Sequence, residues 1–179
     1  MRETPFIFQI AGYSNSGKTT LVKKWLKRLS EAGIQSATIK HHGHGGKLKT
    51  ADTGKDSAGH REAGSSGTIV ASGEELQFMM KLDRPLSLEE LINFYKPFSL
   101  DIIIIEGFKK ETYPKLLLLR NMDDLRFAEN SINVEAVVCW NDDMLEAAEK
   151  KLNVPVFCIT EENQYLDWLT SRVNKERDI

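Results

Sequence analysis

The sequence predicts an α/β fold with a mostly parallel, doubly wound sheet and a β-hairpin inserted between its elements. Short apolar runs alternate with segments of helical periodicity, as expected for repeated β–α units. The run 102–105 is entirely isoleucine and therefore apolar on both faces, which is typical of a central parallel strand. A glycine-rich loop at 12–20 separates the first apolar run from the first amphipathic segment.

The same periodicities assign each element in chain order. The first strand is predicted at 6–11, and apolar residues at helical spacing then predict a helix that ends near Gly33. Further strands are predicted at 36–40, 101–107, 115–120, 134–140 and 156–159. Further helices are predicted at 87–95, 142–152 and 161–173. The hairpin is predicted from 68–71 and 77–80, which flank a Ser-Gly-Glu turn.

Residues 12–20 read Gly-Tyr-Ser-Asn-Ser-Gly-Lys-Thr-Thr, a complete G-x-x-x-x-G-K-[ST] phosphate-binding loop. The two glycines let the backbone curl so that N–H groups point at phosphates, and the following helix start adds positive charge. Lys18 can reach the β- and γ-phosphates, and the Thr19 hydroxyl can hold Mg²⁺. The predicted nucleotide-binding residues are Gly12, Ser14, Asn15, Ser16, Gly17, Lys18, Thr19 and Thr20. The chain is therefore expected to be a single P-loop NTPase-like, nucleotide-binding domain over 1–179.

A phosphate-binding loop holds Mg²⁺ best when a carboxylate ends a neighbouring strand. Glu106 follows the isoleucine run at such an end. Asp101 begins the same strand, about 17 Å away at about 3.3 Å per residue, so it cannot share this role. The predicted Mg²⁺ ligands are Thr19 and Glu106, and the predicted catalytic residues are Lys18 and Glu106. A solvated charge at the strand end is the alternative for Glu106.

Residues 41–67 are polar and include seven glycines, which predicts a functional and partly mobile connection. The candidates within it for facing a γ-phosphate or another ligand are Asp52, Lys55, Asp56, His60 and Arg61. Residues 56–59 match the D-x-x-G of small GTPases, but no apolar strand precedes them. The imidazoles of His41, His42, His44 and His60 could bind zinc or nickel, although no nearby cysteine completes a closed site. Contact with phosphate or another anion is the favoured interpretation.

Two places in the sequence bear on recognition of a base. Asn141 and Asp142 directly follow a predicted strand, where a carboxylate can accept the N1 and N2 donors of guanine. Helix capping by either residue is the alternative. The stretch 174–178 comes within one residue of Asn-Lys-x-Asp, but no strand precedes it, so it is not expected to read the base.

Composition narrows the class of protein and the compartment. A net charge of −2 gives no electrostatic footprint for nucleic acid or an anionic membrane. No apolar run approaches the roughly 18 residues of a membrane span, and the N-terminus lacks the pattern of a signal peptide. Cys139 and Cys158 lie in strand-like segments and are expected to be buried free thiols, which suits a cytoplasmic location.

Four blocks of sequence together resemble the MobB family, the GTP-binding accessory proteins of molybdenum-cofactor biosynthesis. They are Ile10–Thr20, Ile39–His41, Asp52–Ser57 and Ile105–Lys109, and their order and spacing match the family. The resemblance implies GTP and Mg²⁺ as ligands, weak GTP hydrolysis and a homodimer. It also implies partnership with the guanylyltransferase that joins GMP to molybdopterin, forming molybdopterin guanine dinucleotide. The residues it implies are Gly12, Gly17, Lys18, Thr19 and Thr20 for the nucleotide and Glu106 as the acidic partner.

Two other functional classes stay open at this point. A small-molecule kinase would also use Lys18 and Glu106, but it would need an arginine-rich lid, and only Arg61 lies in a suitable loop. A metal-delivery GTPase would explain the histidines. Separately, the apolar strand at 77–82 lies outside the alternating core pattern, so a second copy of the chain is expected to cover the hairpin 68–81. Its addition to the main sheet as an antiparallel edge is the alternative.

Overall fold

The computed structural model describes residues 4–41 and 54–177. It divides into two compact units, the larger formed by Met1–Gly43 with Leu88–Ile179 and the smaller by His44–Ser87. That the chain acts as a single domain stays a prediction.

The strands are β1 (Phe6–Ala11), β2 (Ser36–Lys40), β3 (Gly67–Ser72), β4 (Glu75–Met80), β5 (Ile102–Glu106), β6 (Lys115–Leu119), β7 (Val134–Cys139) and β8 (Val156–Cys158). The helices are α1 (Lys18–Glu31), α2 (Asp56–Glu62), α3 (Leu88–Asn93), α4 (Met122–Glu129), α5 (Asp142–Lys151) and α6 (Glu162–Arg177). Six strands form one sheet in the order β2-β5-β1-β6-β7-β8, and every neighbouring pair is parallel. The predicted doubly wound sheet is confirmed.

Helices cover both faces of this sheet because alternate residues of each strand point to opposite sides. On one face, α1 and α6 pack on the sheet around Phe8, whose ring meets the edge of Trp25 at 5.7 Å between centroids. On the other face, α4 and α5 cover β6 and β7, and α3 covers β2 and β5. All five residues of β5 are buried, as predicted for the isoleucine run. Because β1 and β5 are parallel and Ile10 pairs with Glu106, the C-terminal ends of these two strands lie side by side.

The end of α1 shows how the sequence terminates a helix. Gly33 adopts a φ of 69°, and the N–H of Ile34 donates to the Leu29 carbonyl at 2.9 Å. A left-handed residue after a helix costs least when it is glycine, so Gly33 ends α1 as predicted.

Two helices and one helix end differ from the sequence predictions. α2 lies inside the segment predicted as a connection, and none of its residues is buried, so it lacks the apolar stripe that predicts a helix. α4 is short, and it begins where the Asn121 side chain accepts the N–H groups of Asp123 and Asp124. α6 continues to Arg177 instead of ending at 173.

The smaller unit contains a hairpin that forms its own two-stranded sheet of β3 and β4. The alternative in which it adds to the main sheet is therefore wrong for the described residues. Its register pairs Ile69 with Phe78 and Gly67 with Met80, so these side chains share one face. Ile69, Phe78 and Met80 are 65%, 46% and 45% exposed. The hairpin thus presents a partly exposed apolar face within this unit.

Candidate phosphate and metal site

The predicted phosphate loop lies at the point where the sheet order reverses. β1 stands between β5 and β6, and the chain reaches β2 on one side of it and β7 on the other. In parallel α/β sheets, ligands bind beyond the C-terminal ends of the strands at such a point. The loop after β1 and Glu106 at the end of β5 both lie there.

The loop has a backbone that requires glycine. Gly12 has a φ of 147°, and a Cβ there would lie 2.8 Å from Ser16 Oγ and 3.0 Å from the Leu118 carbonyl. Gly17 has a φ of 92° and is the N-cap of α1, whose first N–H groups have no acceptor within the helix. Asn15 is left-handed at 58°, a conformation that asparagine tolerates. The curled loop and the helix start form a cradle for an anion.

Side chains from neighbouring strands hold this loop from outside. Arg120, which directly follows β6, donates from Nη1 to the Ser14 carbonyl at 2.8 Å. Trp140, which directly follows β7, donates from Nε1 to the Ser16 carbonyl at 3.0 Å. Neither residue is among the site residues predicted from the sequence. Their positions in the chain could have indicated them. Each is the first residue after an apolar strand, and the C-terminal ends of parallel strands are where ligands bind.

Glu106 and Thr19 meet as predicted. The Thr19 hydroxyl donates to Glu106 Oε1 at 2.6 Å. Glu106 is only 8% exposed, so the alternative of a solvated strand-end charge is wrong. Lys40, the last residue of β2, donates from Nζ to Glu106 Oε1 at 2.5 Å and to Thr19 Oγ1 at 2.8 Å. A hydroxyl and a buried carboxylate side by side are ligands that suit Mg²⁺.

The turn after Glu106 is held by a buried polar residue in β1. Gln9 is fully buried, and its Nε2 donates to the carbonyls of Gly107 at 2.5 Å and Phe108 at 2.7 Å. Both of these residues are left-handed, with φ values of 98° and 52°. A non-glycine residue in that region is strained unless its surroundings hold it there. Gln9 therefore holds the turn that directly follows Glu106.

Four cationic side chains surround the phosphate loop: Lys18, Lys40, Lys109 and Arg120. Lys109 Nζ lies 3.5 Å from the centre of the Tyr13 ring. Burial lowers the pKa of Lys18, and the other three cations lower it further while Glu106 opposes them. Burial also lowers the pKa of Lys109, and the nearby positive charge of Arg120 lowers this pKa further. This concentration of positive charge favours an anionic ligand.

The residues predicted within 41–67 to face a γ-phosphate or another ligand belong to the smaller unit or lie outside the described residues. Lys55, Asp56 and His60 line a cavity of about 670 Å³ within the smaller unit. Arg61 donates to the Ser57 carbonyl at 3.0 Å and to Thr68 Oγ1 at 2.8 Å, which ties α2 to β3. Asp52, His42 and His44 lie outside the described residues.

Three further predictions meet different outcomes. The His41 N–H donates to the Glu106 carbonyl at 3.0 Å, so this histidine lies beside the site. Within 4–41 and 54–177, no three His, Cys, Asp or Glu residues are grouped closely enough to hold a metal ion. Asn141 accepts the N–H of Met144 at 2.9 Å as the cap of α5, and Asp142 begins that helix. Base reading by Asn141 and Asp142 stays a prediction.

The two cysteines follow the predicted strands but are not equally buried. Both thiols are free, Cys139 in β7 is buried, and Cys158 in β8 is only partly buried. The expectation that both are buried is thus wrong for Cys158, because β8 is the edge strand of the sheet. Among the described helices, none is long and apolar enough to cross a membrane.

Comparisons with known proteins find relatives of the sequence and of the fold. A sequence profile of the family described as Molybdopterin guanine dinucleotide synthesis protein B matches residues 7–140. The probable molybdopterin-guanine dinucleotide biosynthesis adapter protein of Bacillus subtilis is 39% identical over 135 residues, spanning 75% of this chain and 76% of that protein. The solved structure of Bacillus subtilis MobB has a TM-score of 0.78 and 33% identity, covering 92% of this chain and 96% of that one. A MobB homologue from Bacillus stearothermophilus has a TM-score of 0.73 and 30% identity, covering 94% and 98%.

Proposed function

Because the chain belongs to the family of molybdopterin guanine dinucleotide synthesis protein B, we propose that it is a Mg²⁺-dependent GTP-binding adapter in the biosynthesis of molybdopterin guanine dinucleotide. The observation that carries the proposal is the contact of Thr19 with the buried Glu106 beside a complete phosphate loop. Family membership decides against the small-molecule kinase and the metal-delivery GTPase.

The phosphates bind in the cradle formed by the loop and the start of α1. Its backbone N–H groups and the cations around it supply donors and positive charge for a triphosphate. Thr19 and Glu106 would hold Mg²⁺, and the metal would neutralise part of the charge of the bound phosphates. Lys18 stays within the same loop, where its ammonium group donates to the Tyr13 carbonyl at 2.7 Å. The ammonium group is thus held at the loop, where this motif uses its lysine to contact the β- and γ-phosphates.

Hydrolysis of GTP is slow in this proposal. The D-x-x-G at 56–59 begins α2 in the smaller unit, and the described residues directly before it, 54–55, are not in a strand. It therefore lacks the setting in which small GTPases use this motif to contact a γ-phosphate. The binding of nucleotide, more than its turnover, is then the property on which an adapter depends.

Assembly is the second part of the proposal. The exposed apolar face of the hairpin suits a second copy of the same chain, since large apolar patches on monomers mark interaction sites. The homodimer then engages the guanylyltransferase that transfers GMP to molybdopterin, in the cytoplasm, and the product cofactor passes through this complex.

Calorimetric titration of GTP, ATP and molybdopterin into the purified protein tests the assignment. GTP is expected to bind more tightly than ATP, and Lys18→Ala to reduce triphosphate binding by at least about 100-fold. Glu106→Gln is expected to weaken GTP binding in Mg²⁺ but to change it little in EDTA. Lys23→Ala, at an exposed position of α1, is the matched control for loss of a lysine. Equal affinity for ATP and GTP would overturn the guanine assignment.

A further inference from the structure

Lys40 contacts both of the oxygens that are assigned to Mg²⁺. Its ammonium nitrogen lies 2.5 Å from Glu106 Oε1 and 2.8 Å from Thr19 Oγ1. The sheet register sets this arrangement, because Lys40 at the end of β2 is the direct partner of Glu106 at the end of β5. The contact is therefore a consequence of the strand pairing and not of a flexible loop.

Of the four cations at the phosphate loop, Lys40 alone shares the proposed metal ligands. Arg120 donates from Nε to Asp124 Oδ2 at 3.1 Å and is thereby directed to a different carboxylate. Lys18 donates to the Tyr13 carbonyl, and Lys109 lies over the Tyr13 ring. Glu106 is buried, whereas the Lys40 side chain is 52% exposed. The carboxylate is fixed, and the lysine has room to leave it.

Mg²⁺ and an ammonium group cannot use these two oxygens together. Mg²⁺ requires its oxygen ligands at about 2.0–2.1 Å in an octahedral arrangement. A metal ion at this distance from the two oxygens leaves no space for the Lys40 ammonium group to contact them. Two cations at such a distance also repel each other strongly where the carboxylate is buried. Occupation by one cation therefore excludes the other.

We propose that Lys40 is a positioning residue that holds Thr19 and Glu106 together and competes with Mg²⁺ for them, so that the metal enters with the nucleotide and not alone. This inference rests on the proposed Mg²⁺–GTP site. Arriving phosphates give the Lys40 ammonium a new anionic partner, and the flexible lysine stem allows it to move. The nucleotide thus removes the competitor and brings the metal in one event.

The binding of Mn²⁺ alone to the nucleotide-free protein, measured by electron paramagnetic resonance of the free ion, tests the competition. Lys40→Met is expected to bind Mn²⁺ about fivefold or more tightly than the wild type, since one competing ion pair is lost. Lys40→Arg keeps the charge and is expected to resemble the wild type. Lys23→Met controls for the loss of one positive charge elsewhere and is expected to leave Mn²⁺ affinity unchanged. The melting temperatures of all variants verify that they fold.

The sign of the change separates competition from a purely structural role. A lysine that only supports Glu106 would, when removed, lower Mn²⁺ affinity or leave it unchanged, and either result overturns the proposal for Lys40. Glu106→Gln tests the underlying site: if it abolishes the Mg²⁺ dependence of GTP binding while Lys40→Met leaves Mn²⁺ affinity unchanged, the site stands and the competition is wrong. If Glu106→Gln leaves the Mg²⁺ dependence intact, the metal site and the role of Lys40 are both overturned.

Discussion

At the scale of single residues, Trp140 links the strand next to the predicted base site with the phosphate loop. Its indole N–H is bonded to the Ser16 carbonyl, and its ring would lie 3.5 Å from a Cβ on Gly17. The residue is nevertheless 45% exposed, because it stands beyond the end of β7. One hydrogen bond and one ring edge therefore support the part of the loop that precedes Lys18.

Trp140→Phe is expected to weaken GTP binding about fivefold, because a hydrogen bond that orders the loop contributes roughly 1 kcal/mol. Calorimetric titration measures the change. Trp168→Phe removes an indole N–H from a residue that packs on Phe8 and Phe157, and it is the matched control. An equal loss of affinity in the two variants would show a general effect of tryptophan removal instead.

The two cysteines are expected to differ in reactivity. Burial raises the pKa of Cys139 to about 12, so this thiol stays protonated at neutral pH and lacks the nucleophilic thiolate. Under native conditions iodoacetamide is expected to label Cys158 at least about tenfold faster than Cys139, as followed by mass spectrometry of peptides. In denaturant the two rates are expected to converge. Faster labelling of Cys139 in the native protein would contradict the burial of β7.

At the scale of elements, the junction of β1 and β5 determines the position of Glu106, the proposed metal ligand. Ile10 of β1 pairs with Glu106, and Gln9 spans from β1 to the turn that follows. The Gln9 side chain is buried with Oε1 lacking a hydrogen-bond partner among the described atoms. A polar side chain that keeps one unpaired oxygen in the core costs stability, which fits a role in holding the turn.

Gln9→Leu is expected to destabilise the fold by about 1–3 kcal/mol, because it removes two hydrogen bonds to the partly buried carbonyls of Gly107 and Phe108. Since the turn then loses its support, GTP affinity in Mg²⁺ is expected to fall while the affinity in EDTA stays near that of the wild type. Urea unfolding and titration in both buffers measure the two effects. An equal loss of affinity in both buffers would argue against a role in placing Glu106.

The polar segment 41–67 gives a second prediction at this scale. α2 within it buries no residue, so its hydrogen bonds are expected to open at little cost. Hydrogen exchange of 41–67 is expected to slow by about tenfold or more when a non-hydrolysable GTP analogue is added, and to slow less with GDP. Equal protection by the two nucleotides would remove the γ-phosphate role, leaving Asp56, His60 and Arg61 as candidates for another ligand.

At the scale of the whole molecule, the proposed homodimer forms through the face of the hairpin that carries Phe78 and Met80. Phe78→Asp with Met80→Asp places two charges on this face and is expected to raise the dimer dissociation constant by at least about 100-fold. Ser72→Asp with Gln77→Asp adds two carboxylates to the opposite face and is the control. Light scattering gives the mass, and GTP titration is expected to show binding retained in both variants. A wild-type monomer at micromolar concentration would rule out the homodimer.

The sequence by itself determined the parts of this protein that rest on local chemistry. A phosphate loop needs glycine at two fixed positions and a lysine directly after the second, so the pattern identifies the loop before any fold is known. Apolar runs that are too short for helices identify the parallel strands, and the isoleucine run identifies a strand in the interior of the sheet. The position of Glu106 at the end of β5 could be predicted because a strand end is visible in the sequence. α2 and α4 could not, since short helices with little or no apolar stripe leave no periodic signal.

Only the tertiary structure decided which distant residues complete the site. Lys40, Gln9, Arg120 and Trp140 reach the loop or Glu106 through strand pairing and crossover connections. In a parallel sheet, residues that are neighbours in space are separated by whole β–α units in the chain, so no spacing in the sequence reveals them. The competition proposed for Lys40 depends on this point, because the register of β2 with β5 alone places its ammonium group on the carboxylate of Glu106.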